Sequence, residues 1–115
     1  MMKKKKVLWF SRHIMSDEQR SALGDDVEIV NINKTISSAY EISDEIADAD
    51  IIAIVAPVNL QMQFLKLAGD KPVIMAKSER VFTKDAEGNE SKVAFKFLKW
   101  ERLVKIDIVL EDFVI

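Results

Sequence analysis

The chain has 115 residues, of which 49% are hydrophobic and 31% charged, and it carries a formal net charge of −2 from 17 basic and 19 acidic side chains. That size and composition suit one globular domain, while only 3 Gly and 2 Pro leave little room for a long linker. The absence of cysteine excludes disulfides, Cys-ligated zinc, Fe–S clusters and a thiol nucleophile, and the balanced charge gives no global field for long nucleic acid.

Residues 7–10 (Val7, Leu8, Trp9, Phe10) follow a lysine run but are too short for a signal-peptide core, so they predict a buried first strand. Ser16-Asp17-Glu18-Gln19 matches a capping box, which predicts a helix closed by Gly24. Alternation at Val27-Glu28-Ile29-Val30 predicts a second strand at a sheet edge. Ala39, Ile42, Ile46 and Ala49 recur at steps of three and four among acidic residues, so an amphipathic helix is expected over 38–49. Residues 51–56 are continuously apolar and rich in β-branched side chains, as in a central strand covered on both faces, with Pro57 ending it. Asn59 is the expected cap of a helix presenting Leu60, Phe64 and Leu67 and closed by Gly69, followed by Pro72 and a fourth strand over 73–76.

From Arg80 the pattern changes to strands without helices. Val93, Phe95 and Phe97 alternate with Ala94, Lys96 and Leu98, and Ile106, Ile108 and Leu110 alternate with Lys105, Asp107 and Val109. Residues 86–90 supply turn chemistry for a hairpin. The expected fold is a three-layer α/β open sheet of Rossmann-like or flavodoxin-like type, mainly parallel in the order 2-1-3-4. A parallel core over 1–79 and antiparallel C-terminal strands over 80–115 make up one domain. No apolar run reaches the length of a membrane span, so a cytoplasmic protein without membrane contact is expected. Edge strands and the apolar tail predict a homodimer.

In such a sheet, ligands bind beyond the carboxyl ends of the strands, where successive connections diverge to opposite faces. The loops expected there carry Ser11, Arg12 and His13 after strand one, then Asn31, Asn33, Lys34 and Thr35. Pro57 and Asn59 follow strand three, and Lys77 and Ser78 follow strand four. Cationic and hydroxyl groups beside two helix N-termini suit an anion. Ser11-Arg12-His13 is the sharpest motif, because guanidinium, imidazole and helix dipole come within reach of one phosphate. The opposing explanation is a set of ordinary solvated loops with an exposed histidine. Arg12-His13 is similar to the opening of the histidine phosphatases, but Ile14 stands where those enzymes carry glycine and there is no second histidine. No Gly-rich loop follows strand one, so no ATP or NAD cofactor of standard type is expected. Phe95, Phe97 and Trp100 with Lys96, Lys99 and Arg102 allow a nucleic-acid platform, although alternating strand aromatics commonly form core.

The strand ending in Ser11-Arg12-His13, the helix opening at Ser16, and the strands at 27–30 and 51–56 together resemble the minimal CARF-like domains associated with type III CRISPR systems. The resemblance is one of topology through the fourth strand, with a Ser-x-His strand ending as its motif. It implies a Rossmann-like dimer that binds cyclic oligoadenylates at the strand-end edge, with Ser11, Arg12, His13, Asn59, Lys77 and Ser78 facing the ligand. The residues themselves lead to a module for a phosphate-bearing small molecule, most simply a nucleotide or cyclic oligonucleotide. Two alternatives stand beside it: metal-independent phosphodiester cleavage with His13 as catalytic acid or base, and an interaction subunit without a small ligand.

Overall fold

The computed structural model describes residues 4–84, 88, 90–107 and 109–115. The elements are β1 (Lys5–Phe10), α1 (Asp17–Leu23), β2 (Val27–Ile32), a 3-10 turn (Ala39–Ile42) running into α2 (Ser43–Asp48), β3 (Ile51–Ile54), α3 (Val58–Ala68), β4 (Val73–Lys84) and β5 (Glu90–Arg102). One five-stranded open sheet has the order β2-β1-β3-β4-β5. Pairing is parallel from β2 through β4 and antiparallel between β4 and β5. The layout is Rossmann-like α/β, with β3 central and β2 at one edge, as the apolar runs predict.

Strand periodicity sorts the core into two layers. Val7 and Trp9 of β1 join Met15, Val27 and Ala53 on the face that α1 covers, where Leu23 packs against them. Leu8 and Phe10 point the other way, to Ile42, Ile46, Ile52, Ile54 and Phe64 beneath α2 and α3. Phe10 and Phe64 meet at a centroid distance of 5.3 Å. Burial on both faces explains why residues 51–54 carry no polar side chain.

The α1 helix and the 3-10 turn start where local side chains supply partners. Ser16 Oγ accepts from the Gln19 N–H at 3.1 Å and Gln19 Oε1 accepts from the Ser16 N–H at 3.0 Å, which completes the capping box of α1. A second box, Ser38 with Glu41, opens the 3-10 turn. The amphipathic segment expected as one helix over 38–49 is therefore split into a 3-10 turn and α2, yet Ala39, Ile42, Ile46 and Ala49 are all buried.

Three further expectations need correction. Asn59 does not cap α3: the N-cap is Pro57, whose side chain has no hydrogen-bonding group, and Asn59 lies exposed in the first turn. Proline fits because an N-cap needs an extended backbone, and its φ is −67° with ψ 163°. Lys77 and Ser78 are not in a loop, because β4 runs on to Lys84 and crosses the expected boundary between core and extension. The continuation follows from β5, which offers a backbone partner along the whole length of β4. Of the strand expected over 106–110, the described residues have no regular structure, like the others beyond Leu103, and Ile108 lies outside the described set. Of the expected hairpin turn, residues 86, 87 and 89 also lie outside it, while Gly88 takes a φ of +86° that favours glycine.

The β4–β5 pair forms an arm. Leu98 has no partner in the register, which passes from Lys77↔Lys99 to Ser78↔Phe97. Such a bulge bends a strand pair and increases its twist. At its base the arm is tied to the body by Trp100, whose ring meets Trp9 edge-on at 5.7 Å and whose Nε1 donates to the Gln19 carbonyl at 3.0 Å.

Candidate functional site

β1 leads through α1 on one face to β2, whereas the connections to β3 and β4 run through α2 and α3 on the other. The switch point therefore lies between β1 and β3, and the crevice beyond their carboxyl ends is the place where this sheet type takes ligands. Phe10 is level with Ile54, and the Val55 N–H donates to the Phe10 carbonyl at 2.9 Å. The turn after β1 and the start of α3 are thus side by side.

The turn is internally braced. Ser11 is buried, and its Oγ accepts from the His13 N–H at 3.1 Å. The His13 carbonyl accepts from Trp9 Nε1 at 2.8 Å, which fixes the backbone while leaving the imidazole exposed. Ser11 is therefore a positioning residue of the turn. Arg12 is exposed and reaches across the end of β2, where its guanidinium donates to Thr35 Oγ1 at 3.1 Å. A neutral hydroxyl is a weaker partner for guanidinium than a phosphate oxygen.

Of the two helix N-termini expected at this edge, one is already satisfied. The α1 start is occupied by its own capping box, whereas α3 begins at Pro57 with no side-chain cap. The amide groups nearby serve the backbone: Gln61 Nε2 donates to the Ala56 carbonyl at 2.7 Å, and Asn31 Nδ2 donates to the Trp9 carbonyl at 3.3 Å. Glu41 is an acidic group built into these loops that the sequence pattern Ser-x-x-Glu could have revealed. Its Oε2 accepts from the Ser37 and Ser38 N–H groups at 2.7 and 3.0 Å. Hydrogen bonds from the Ser38 and then the Ser37 backbone hold its carboxyl below the usual range, and Lys34 adds to the effect.

Lys77 and Ser78 lie past the level of the β3 terminus because β4 outruns it, but successive residues of a strand face opposite ways. Ser78 lines an open groove of about 490 Å³ between the start of α1 and the arm, together with Ser16, Asp17, Glu18, Gln19, Phe95 and Phe97. Lys77 is on the other face of the sheet. The edge thus sets the Arg12-His13 turn beside the α3 start that carries Asn59, turns the Arg12 guanidinium toward Thr35 on the β2 side, and divides Lys77 from Ser78.

The alternation of Phe95 and Phe97 predicts core packing. Instead the groove leaves Phe95 70% exposed, with the Arg80 guanidinium 6.0 Å from its ring centre. Only the third dimension shows that α1 is too short to cover the arm. Among the described residues, no cluster of three His, Asp or Glu side chains could hold a metal ion, and no helix is long and apolar enough to cross a membrane.

These features define an α/β protein of Rossmann-like layout whose Arg12-His13 turn lies beside a helix start without a side-chain cap. No family model, curated protein or solved structure matches the chain.

Proposed function

We propose that this chain binds a phosphate-bearing small ligand, a nucleotide or a cyclic oligonucleotide, in the crevice between the ends of β1 and β3. The observation that carries the proposal is the meeting of the uncapped α3 start with the Arg12-His13 turn at the switch point of the sheet. Arg12 exchanges Thr35 for a phosphate oxygen, and the Val58 and Asn59 N–H groups at the start of α3 donate to the same anion. His13 and Asn59 orient it, while Lys77 adds charge from the far face. The groove beside α1 suits a base: Phe95 and Phe97 offer stacking surface, Ser78 a hydroxyl, and Asp17 and Glu18 acceptors for ribose hydroxyls or an exocyclic amine.

Calorimetry with a panel of linear and cyclic nucleotides tests this. Arg12→Ala is expected to weaken binding about ten- to a hundredfold, the usual cost of a lost charge-assisted contact of about 1.5–3 kcal/mol, with an unchanged melting temperature. His13→Ala lowers affinity modestly in a pure binder. Loss of turnover with binding retained would instead identify the imidazole as the acid or base of phosphodiester cleavage. Failure of the wild-type protein to bind any phosphate ligand overturns the proposal.

A further inference from the structure

Beyond Leu103 the chain has the composition of a strand without a sheet. Eight of the twelve residues from 104 to 115 are Val, Ile, Leu or Phe, and Ile106, Ile108 and Leu110 alternate with Lys105, Asp107 and Val109. Yet Leu110 is 86% and Phe113 87% exposed, and Val104, Val109, Val114 and Ile115 are exposed with them. A contiguous apolar surface of this kind marks a contact with something else. The described residues of the segment do not pair with their own β5, and the sequence explains why. Residues 103–110 contain no Gly, Pro, Asn or Ser, and β-branched side chains resist the turn conformations that a hairpin needs.

The same chain holds a matching acceptor. β5 is the last strand of the sheet, thirteen residues long, and its outer backbone edge has no neighbouring strand among the described residues. Its sequence carries Lys92, Lys96, Lys99 and Arg102 against Glu90 and Glu101, whereas the tail carries Asp107, Glu111 and Asp112 against Lys105. Lysines on an edge repel indiscriminate pairing but favour an acidic strand. The opposite edge is a poorer acceptor, since β2 has only six residues and carries or adjoins Asp25, Asp26 and Glu28. Phe95 of β5 is itself exposed, as is Phe82 on the adjoining β4. The Cα radius of gyration is 17.6 Å, against about 13 Å for a compact chain of this length, so arm and tail reach well beyond the body.

We infer that two copies of this chain associate by exchanging tails, residues 104–115 of each adding as an antiparallel strand to the outer edge of β5 in the other. Donor and acceptor on one chain give a two-fold arrangement that closes at two copies, with backbone hydrogen bonds supplying affinity and the opposed charges the register. The exchange is independent of any ligand at the crevice.

Sedimentation velocity across the micromolar range, on the full chain and on Leu110→Asp with Phe113→Asp, decides it. Both side chains stand in solvent in the single chain, so the double variant is expected to keep its circular dichroism and melting temperature. The wild type should sediment as a dimer, more weakly at high salt, and the double variant should associate at least about tenfold more weakly. Hydrogen exchange should show β5 amides gaining protection with concentration in the wild type alone. A monomeric wild type, an unchanged dimer in the double variant, or a dimer whose β5 amides gain no protection would each overturn the inference.

Discussion

Leu8 in β1 and Phe95 in β5 are both large apolar strand residues, yet Leu8 is 1% exposed and Phe95 70%. The difference lies in what covers them. β1 has a strand on either side and helices over both faces, so both parities of its side chains find partners. Among the described residues β5 has one neighbouring strand, and the short α1 reaches only its base, where Trp100 packs. A large apolar strand residue becomes core in one place and open surface in the other, because burial belongs to the assembly of layers and not to the strand.

The comparison breaks most directly at the centre of the body. Phe64 is fully buried against Phe10, and Phe64→Ala is expected to cost about 3–5 kcal/mol, read as a fall in the denaturant midpoint with an unchanged slope. A cost comparable to that of an exposed site would mean that the two regions do not differ as described.

The joint between body and arm comes next. Trp100 contributes an edge-on contact to Trp9, another to Phe97 at 5.6 Å, and the hydrogen bond to the Gln19 carbonyl. Trp100→Phe, which loses the indole N–H and part of the packing, should destabilise by about 1–2 kcal/mol. Hydrogen exchange should then quicken along β4 and β5 while β1 and β3 stay protected. Uniform loss of protection would show arm and body to be one cooperative unit.

A smaller effect is expected at the start of α1. Ser16→Ala removes one half of the capping box and should cost about 1 kcal/mol in thermal denaturation, with Ser16→Asp restoring most of it. Equal stability of the wild type and the Ser16→Ala variant would show that α1 contributes little to holding the arm.

The smallest effects are those of exposed charge. Asp48 titrates below its ordinary value through its hydrogen bond and ion pair with Lys6, and Glu41 does so through the Ser38 and Ser37 N–H groups. Their contributions are complete above the ordinary carboxylate range and are lost as pH falls through the lowered values, below about pH 4. Lys6 is shifted upward, chiefly by its hydrogen bond to Asp48, so its contribution holds below the ordinary lysine value and is lost above about pH 10. Glu41→Gln and Asp48→Asn should each flatten the acid limb of a stability-against-pH curve. An unaltered limb would show that these contacts do not matter to the fold.

Residues 7–10, the run from 51 and the Ser16 to Gln19 pattern determined by themselves two strands, a helix start and the parallel order, because continuous β-branched runs, capping chemistry and right-handed crossovers are local or nearly local constraints; the strand expected over 51–56, however, stops at Ile54 and leaves Val55 exposed. The turn bearing Ser11, Arg12 and His13 was equally legible, since it must lie at the carboxyl end of the first strand. Tertiary structure alone decided that Pro57 and not Asn59 begins α3, that β4 carries Lys77 and Ser78 beyond the end of β3, and that Phe95 stays uncovered. The tail shows the limit most clearly. Its alternation over 105–110 specifies a strand, but a strand exists only where another backbone supplies the hydrogen bonds, and among the described residues of a single copy no backbone beside that segment does so.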